Sequence, residues 1–156
     1  MQNLKLVKHA SGAPGLRILG LGPNLLPSKG LTKLKRLLDN HAFWARNRNF
    51  HSLRKLLIGS TVVITLWQDK RIVGFGRATS DQIYRAVLWD VVVADDQQGK
   101  GLGRLVIEAL LSSPEINKVE RIYLMTTHER NFYKQLGFQD CNKQNLLVKT
   151  KNSKSG

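Results

Sequence analysis

Val91-Val92-Val93-Ala94-Asp95-Asp96-Gln97-Gln98-Gly99-Lys100-Gly101-Leu102-Gly103-Arg104 is the stretch on which the fold turns. It passes from a β-branched run, which reads as a buried strand, into a segment of helical apolar spacing over residues 102–111. Three glycines within five residues stand at the junction. Glycine lets backbone approach a ligand closely. Unpaired amides at a helix N-terminus, with the positive end of its dipole, then form an anion site suited to phosphate. Two better-known phosphate loops do not fit. A Walker A loop needs Ser or Thr directly after Gly-Lys, but Gly101 follows Lys100. A dinucleotide fingerprint begun at Gly101 meets Val106 where glycine or alanine is required, and one begun at Gly99 meets Arg104.

Upstream of this stretch, residues 61–67 are β-branched and apolar, residues 68–70 read as a turn, and residues 72–76 as the hairpin partner. A turn at residues 80–82 leads into a long strand over residues 83–93. Still earlier, Leu31, Leu34, Leu37 and Leu38 recur at helical spacing. A second helix is expected over residues 42–58, with Phe43, Trp44, Phe50, Leu53, Leu56 and Leu57 as core contacts and Gly59 as its stop. Residues 16–21 are a short strand candidate. Downstream, residues 119–127 read as a strand, residues 130–136 as a helix, and residues 138–148 as a last strand or hairpin. The sum is α+β: helices, an antiparallel meander, then strand–helix–strand with one parallel junction in the sheet.

The chain has 156 residues and 17.6 kDa, the size of one domain. Residues 1–156 are read as a single domain, with residues 1–15 and 149–156 as flexible ends. An apolar content of 42% excludes wholesale disorder. No apolar run approaches the roughly 18 residues of a membrane span. Cys141, the single cysteine, excludes an internal disulfide and a multi-cysteine metal site, so no metal is expected. The net charge is +14, and it is uneven: residues 1–60 carry +10 and the remainder +4. Such a basic segment, with Arg46, Arg48, Arg54 and Lys55 beside Phe43, Trp44 and Phe50, raises a nucleic-acid or ribosome-associated binding module as an alternative reading. Helical spacing favours the aromatics as core, and no nucleic-acid motif is present. A secretory apolar region is missing near the start, so a soluble intracellular protein is expected.

Gln98-Gly99-Lys100-Gly101-Leu102-Gly103 has the form Gln/Arg-x-x-Gly-x-Gly/Ala, and with it the chain resembles the GNAT superfamily of N-acetyltransferases. Phe132-Tyr133-Lys134-Gln135-Leu136-Gly137-Phe138 matches that family's second signature, after the next strand. More narrowly, residues 74–81, 88–93 and 123–128 resemble the cyanobacterial and plastid branch, whose plant members acetylate lysines, protein N-termini and arylalkylamines such as serotonin. The resemblance covers residues 61–147. It implies the GNAT fold: a mixed, mostly antiparallel central sheet with a splayed parallel strand pair, flanked by helices. It also implies acetyl-CoA as co-substrate and direct transfer of its acetyl group to a primary amine in a ternary complex.

The resemblance assigns roles to individual residues. Val91, Val92 and Val93 hold the pantetheine arm through their backbone. The amides from Gly99 through Lys100, Gly101, Leu102 and Gly103 to Arg104 wrap the pyrophosphate, and Gln98 braces the loop. Tyr133 takes the position of the general acid that protonates the departing thiolate. Asp90 is the expected base, a water chain being the other route, and His128 is a weaker candidate. Thr126 stands where the family commonly has a pantetheine-binding asparagine, and Asp95 where it has a proline. Cys141 is not flanked like a nucleophile, which favours direct transfer. A non-catalytic acetyl-CoA sensor on the same fold is a third reading, against which Tyr133 argues. The acceptor is a small amine or a protein, and the chain is expected to act as a monomer or homodimer.

Overall fold

The computed structural model describes residues 3–151, which form two compact units that meet in sequence at Met125 and Thr126. The first unit runs β1 (Leu4–His9), α1 (Pro14–Leu19), α2 (Gly30–His41), α3 (Phe50–Ile58), β2 (Val62–Gln68), β3 (Arg71–Ser80) and β4 (Arg85–Val93). It continues through α4 (Leu102–Ser112), α5 (Pro114–Asn117) and β5 (Arg121–Tyr123). Single 3-10 turns stand at Pro23–Leu25, Phe43–Ala45 and Asp95–Gln97. The five strands form one sheet in the order β1-β2-β3-β4-β5, antiparallel throughout except for the parallel pair β4–β5.

Small residues decide how α4 reaches the sheet. Side chains at Gly74 and Gly76 would approach Val106 and Leu110 to within 3.3 and 3.0 Å, so the absence of Cβ atoms lets α4 seat directly on β3. Alternation turns Phe75 to the other face, where α2 packs. There Lys33 lies over the Trp67 ring, 5.5 Å from its centroid. Leu34, Leu37 and Leu38 of α2 are buried, as are Leu53 and Leu57 of α3. Helical spacing singles out these positions, but it also points to Phe50 and Leu56, of which Phe50 is exposed and Leu56 half-buried.

The β4–β5 ladder pairs only residues 85–87 with residues 121–123, so β4 runs on from Leu88 to Val93 with no ladder on that side. This is the splay expected of the parallel pair. Across the other edge of β4 the register slips: Phe75 pairs with Val92, but Arg77 pairs with Trp89. One extra residue is accommodated in β4, and Asp90 takes φ 54°, a left-handed conformation that a non-glycine residue adopts only under constraint.

Several expectations need correction. Residues 4–9, read within a flexible end, form β1 and pair along β2. Their side chains are largely exposed, so composition carries little strand signal, and the partner is over fifty residues away. Residues 16–21 are not a strand; Pro14 opens a short helix there and Gly20, at φ 63°, closes it. The second helix starts at Phe50, where the Asn49 side chain accepts from the Ser52 amide, rather than at residue 42. Phe43 and Trp44 accordingly lie in a turn and are 56% and 45% exposed instead of core. The strand expected over residues 119–127 is confined to Arg121–Tyr123. In the second unit, α6 (Arg130–Gln135) matches the expected helix, but residues 138–148 form no strand. The flexible end expected over residues 149–156 falls mostly outside the described residues.

Candidate active site

The glycine-rich loop takes a left-handed backbone at two of its glycines. Gly99 and Gly101 adopt φ 77° and 78°, where other L-residues are strained, and a Cβ at either would meet nothing within 4 Å. The concavity is therefore open, and glycine serves conformation here rather than close packing. Among the described residues, the amides of Gly101, Leu102, Gly103 and Arg104 have no protein acceptor, and α4 has no side-chain cap. Four N–H groups at the positive end of an eleven-residue helix thus stay available to an anion. Leu102 is buried and pins the first turn of α4 to the core.

Side chains brace the loop from behind. Gln97, 6% exposed, accepts through Oε1 from Gln68 Nε2 and from Lys100 Nζ, each at 3.2 Å. Arg71 grips both Asp96 oxygens at 2.7 and 2.6 Å, and the Asp95 amide donates to His41 Nδ1 at 3.1 Å. Gln98 lies 3.4 Å from Asp95 Oδ1, and its amide nitrogen reaches only to 3.5 Å from the Val93 carbonyl. The side chains of Lys100 and Arg104 rest on Gln97 and on Glu108, the latter at 2.8 Å. Positive charge at the loop is therefore carried by backbone dipoles first. No sequence signal marked Gln68, Arg71 or His41, because each lies far from the loop along the chain.

Val91, Val92 and Val93 follow the bulge at Asp90 on the unladdered half of β4, with Val92 buried and its neighbours half-buried. Asp90 itself is heavily engaged. Its carboxylate accepts from Trp44 Nε1 at 2.9 Å, from Arg48 at 3.0 and 3.3 Å, and from Arg77 Nε at 2.9 Å. Burial, the side chain being 6% exposed, pushes its carboxyl up, but the hydrogen bonds and charges of Arg48 and Arg77 outweigh this and hold it below the usual carboxylate range. A carboxylate so saturated with donors is a poor proton acceptor. Asp90, the expected base, neutralises two arginines and ties the Phe43–Ala45 turn and Arg48 to the bulge. Arg77 in turn lies over the Trp89 ring at 5.7 Å.

In the second unit, the Phe-Tyr-x-x-x-Gly-Phe segment closes on itself. Gly137, at φ 96°, turns the chain so that the Phe138 amide donates to the Tyr133 carbonyl at 3.1 Å. The Phe138 ring then meets Tyr133 edge to face at 5.8 Å, and Phe132 meets it at 5.1 Å. Burial first, and then the Glu129 charge, push the Tyr133 phenol up to about 12, so it holds its proton throughout the neutral range. Thr126 accepts from the Glu129 amide through Oγ1 at 3.1 Å, a local turn contact ahead of α6. Arg130 and Lys134 both pair with Asp140. Cys141 is exposed, and its thiol faces Gln144 Oε1 at 3.6 Å. Among the described residues no group of three His, Cys, Asp or Glu side chains is placed to hold a metal, and no helix is long and apolar enough to cross a membrane.

Comparison with known proteins adds three findings. The family profile described as an acetyltransferase (GNAT) domain matches residues 59–140, more than half of the chain. The chain is 37% identical over 113 residues to N-acetyltransferase ycf52 of Pyropia yezoensis, covering 69% of this chain and 64% of that protein. It is 36% identical over 114 residues to histone acetyltransferase TAP1 of Glycine max, covering 72% and 46% respectively. The chain thus spans less than two thirds of the length of these relatives. In fold, it is similar to an aminoglycoside acetyltransferase from an uncultured soil metagenomic sample, with a TM-score of 0.67 at 18% identity, covering 94% of this chain and 95% of that one.

Proposed function

The chain belongs to the GNAT acetyltransferase family, and on that premise we propose that it transfers the acetyl group of acetyl-CoA directly to a primary amine. The observation that carries this reading is the open glycine loop, with its four acceptor-free amides at the head of α4. These donors suit the pyrophosphate of acetyl-CoA, and the unladdered backbone of Val91–Val93 suits the amide-bearing pantetheine arm, as an added strand would.

In this mechanism a neutral amine attacks the thioester carbonyl. The C–S bond breaks as the new C–N bond is completed, and the thiolate leaves with the proton that Tyr133 donates. A phenol held protonated across the neutral range is fit for that step. Proton removal from the ammonium is assigned to a water chain rather than to Asp90. Asp90 acts instead as the brace that keeps the β4 bulge, and with it Val91–Val93, in place. The acceptor is a lysine side chain, a protein N-terminus or an arylalkylamine. Its wall is assigned to Phe43 and Trp44, which stand exposed above the brace.

The test is release of thiol on incubation with acetyl-CoA and a panel divided between arylalkylamines, polyamines and lysine peptides. Turnover with one class identifies the acceptor. No turnover with any class, together with no calorimetric signal for acetyl-CoA, would overturn the proposal.

A further inference from the structure

A second concave feature lies at the same end of the sheet but outside the glycine loop. It is a cleft of about 200 Å³ between α2 and the β2–β3 turn, bordered by Lys33, Arg36, His41, Lys70 and Arg71. Two of these are engaged elsewhere. Arg71 is held by Asp96, and His41 Nδ1 accepts from the Asp95 amide. Lys33, Arg36 and Lys70 have no carboxylate within ion-pair distance among the described residues. Lys33 borders the cleft and is half-buried, with its amine over the Trp67 ring.

The arrangement is electrostatically costly. Lys33 and Arg36 stand three residues apart on one face of α2, a spacing at which like charges destabilise a helix, and Lys29 adds a further cation just before its first turn. The first turn of α2 contains no acid to relieve them. Burial, and then the charges of Lys70, Arg36 and Lys29, hold the Lys33 amine below its ordinary range. Three cations, Lys33, Arg36 and Lys70, gathered around a hollow without an ion-pair partner among the described residues are relieved by an anion placed among them.

We propose that the cleft between α2 and the β2–β3 turn binds a small phosphate-bearing anion through Lys33, Arg36 and Lys70, separately from the backbone amides of the glycine loop. Converging side-chain cations match a multiply charged anion better than a single carboxylate. A hollow of about 200 Å³ admits a group the size of inorganic pyrophosphate but not a nucleic-acid duplex. With a free phosphate compound as ligand this site stands apart from the acetyl transfer proposed above, and with the nucleotide's own phosphate it rests on that reading. The phosphate has two possible sources, a free phosphate compound or the 3′-phosphate of acetyl-CoA itself. The second is worth separating because Arg71–Asp96 and His41–Asp95 join the cleft to the turn that leads into the loop.

The experiment is calorimetric titration of the full chain with inorganic pyrophosphate at fixed ionic strength, with and without saturating acetyl-CoA. Saturable binding at one site is expected. The Lys33→Gln/Lys70→Gln double variant should weaken it at least tenfold. The Arg54→Gln/Lys55→Gln variant, which removes the same charge from exposed positions on α3, should stay within twofold of the parent. An affinity unchanged by acetyl-CoA supports the site with a free phosphate compound as its source. Competition by acetyl-CoA that disappears with the 3′-dephospho form supports it with the nucleotide's own phosphate as source. Competition by both forms places pyrophosphate in the glycine loop and overturns the proposal. Equal losses in the two double variants, or no saturable binding by the parent chain, overturn it as well.

Discussion

Tyr133 and Asp90 show how one residue's surroundings fix its chemical use. The Tyr133 phenol, pushed up to about 12, is a proton donor at neutral pH and has no competing role as a base. Tyr133→Phe should therefore lower kcat about 100-fold, the lower range for loss of a general acid, while acetyl-CoA affinity measured by calorimetry stays within twofold. An unchanged kcat would remove Tyr133 from that role. Asp90 lies at the opposite extreme, ionised and encircled by Trp44, Arg48 and Arg77. Asp90→Asn leaves two arginines facing each other without a counter-charge, and a stability loss of about 3 kcal/mol is expected in urea unfolding. Because the folded carboxyl titrates below its usual value, its contribution is complete above the ordinary carboxylate range and is lost only as pH falls through the lower folded value. The acid limb of kcat/KM near neutrality should thus survive in Asp90→Asn. A limb that vanished with the substitution would restore Asp90 as the base.

At the scale of elements, the loop between β4 and α4 depends on backbone conformation more than on side chains. Gly101→Ala places a Cβ at φ 78°, where the left-handed region costs roughly 1–2 kcal/mol. The loop would relax away from the anion-binding shape and have to be forced back, so acetyl-CoA should bind about tenfold more weakly in calorimetry. Native-like thermal stability would accompany that loss; a wild-type affinity would show that the left-handed turn is not needed. The Phe43–Ala45 turn is the element that the proposed function assigns to the acceptor side. Phe43→Ala, at a ring 56% exposed, should raise the acceptor KM severalfold and leave the KM for acetyl-CoA unchanged. If both constants move together, the turn serves the fold rather than the acceptor.

Across the whole molecule, β1 joins the sheet through a half-buried polar contact that makes stability depend on pH. His9 Nε2 lies 2.8 Å from Thr65 Oγ1, which also accepts from Trp67 Nε1 at 2.9 Å. The hydroxyl proton is then free to be donated to a neutral His9, and burial lowers that imidazole to about 4. Unfolded, it titrates near 6.5, so the unfolded chain binds the extra proton between these values. Stability should be full above about pH 6.5 and fall by up to about 3 kcal/mol as the pH drops toward 4. Urea unfolding at pH 7.5 and 4.5 should show that loss in the parent and a smaller one in His9→Gln; equal losses would exonerate His9. Sequence by itself determined the strand–loop–helix core of this protein. A β-branched run, three glycines and an apolar helix face encode their structure locally, and the Phe-Tyr-x-x-x-Gly-Phe turn does likewise. Where it failed, the stabilising partner lay far along the chain. Exposed β1 is a strand only because β2 offers a ladder, and Phe43 and Trp44 leave the core because Asn49 caps the helix later than apolar spacing suggests. Asp90 is a brace only because Arg48 and Arg77 converge on it from 42 and 13 residues away. Local backbone preference is written in consecutive residues, whereas the charge around a carboxylate is set by which distant segments the fold brings within hydrogen-bond reach, and that only the tertiary structure decided.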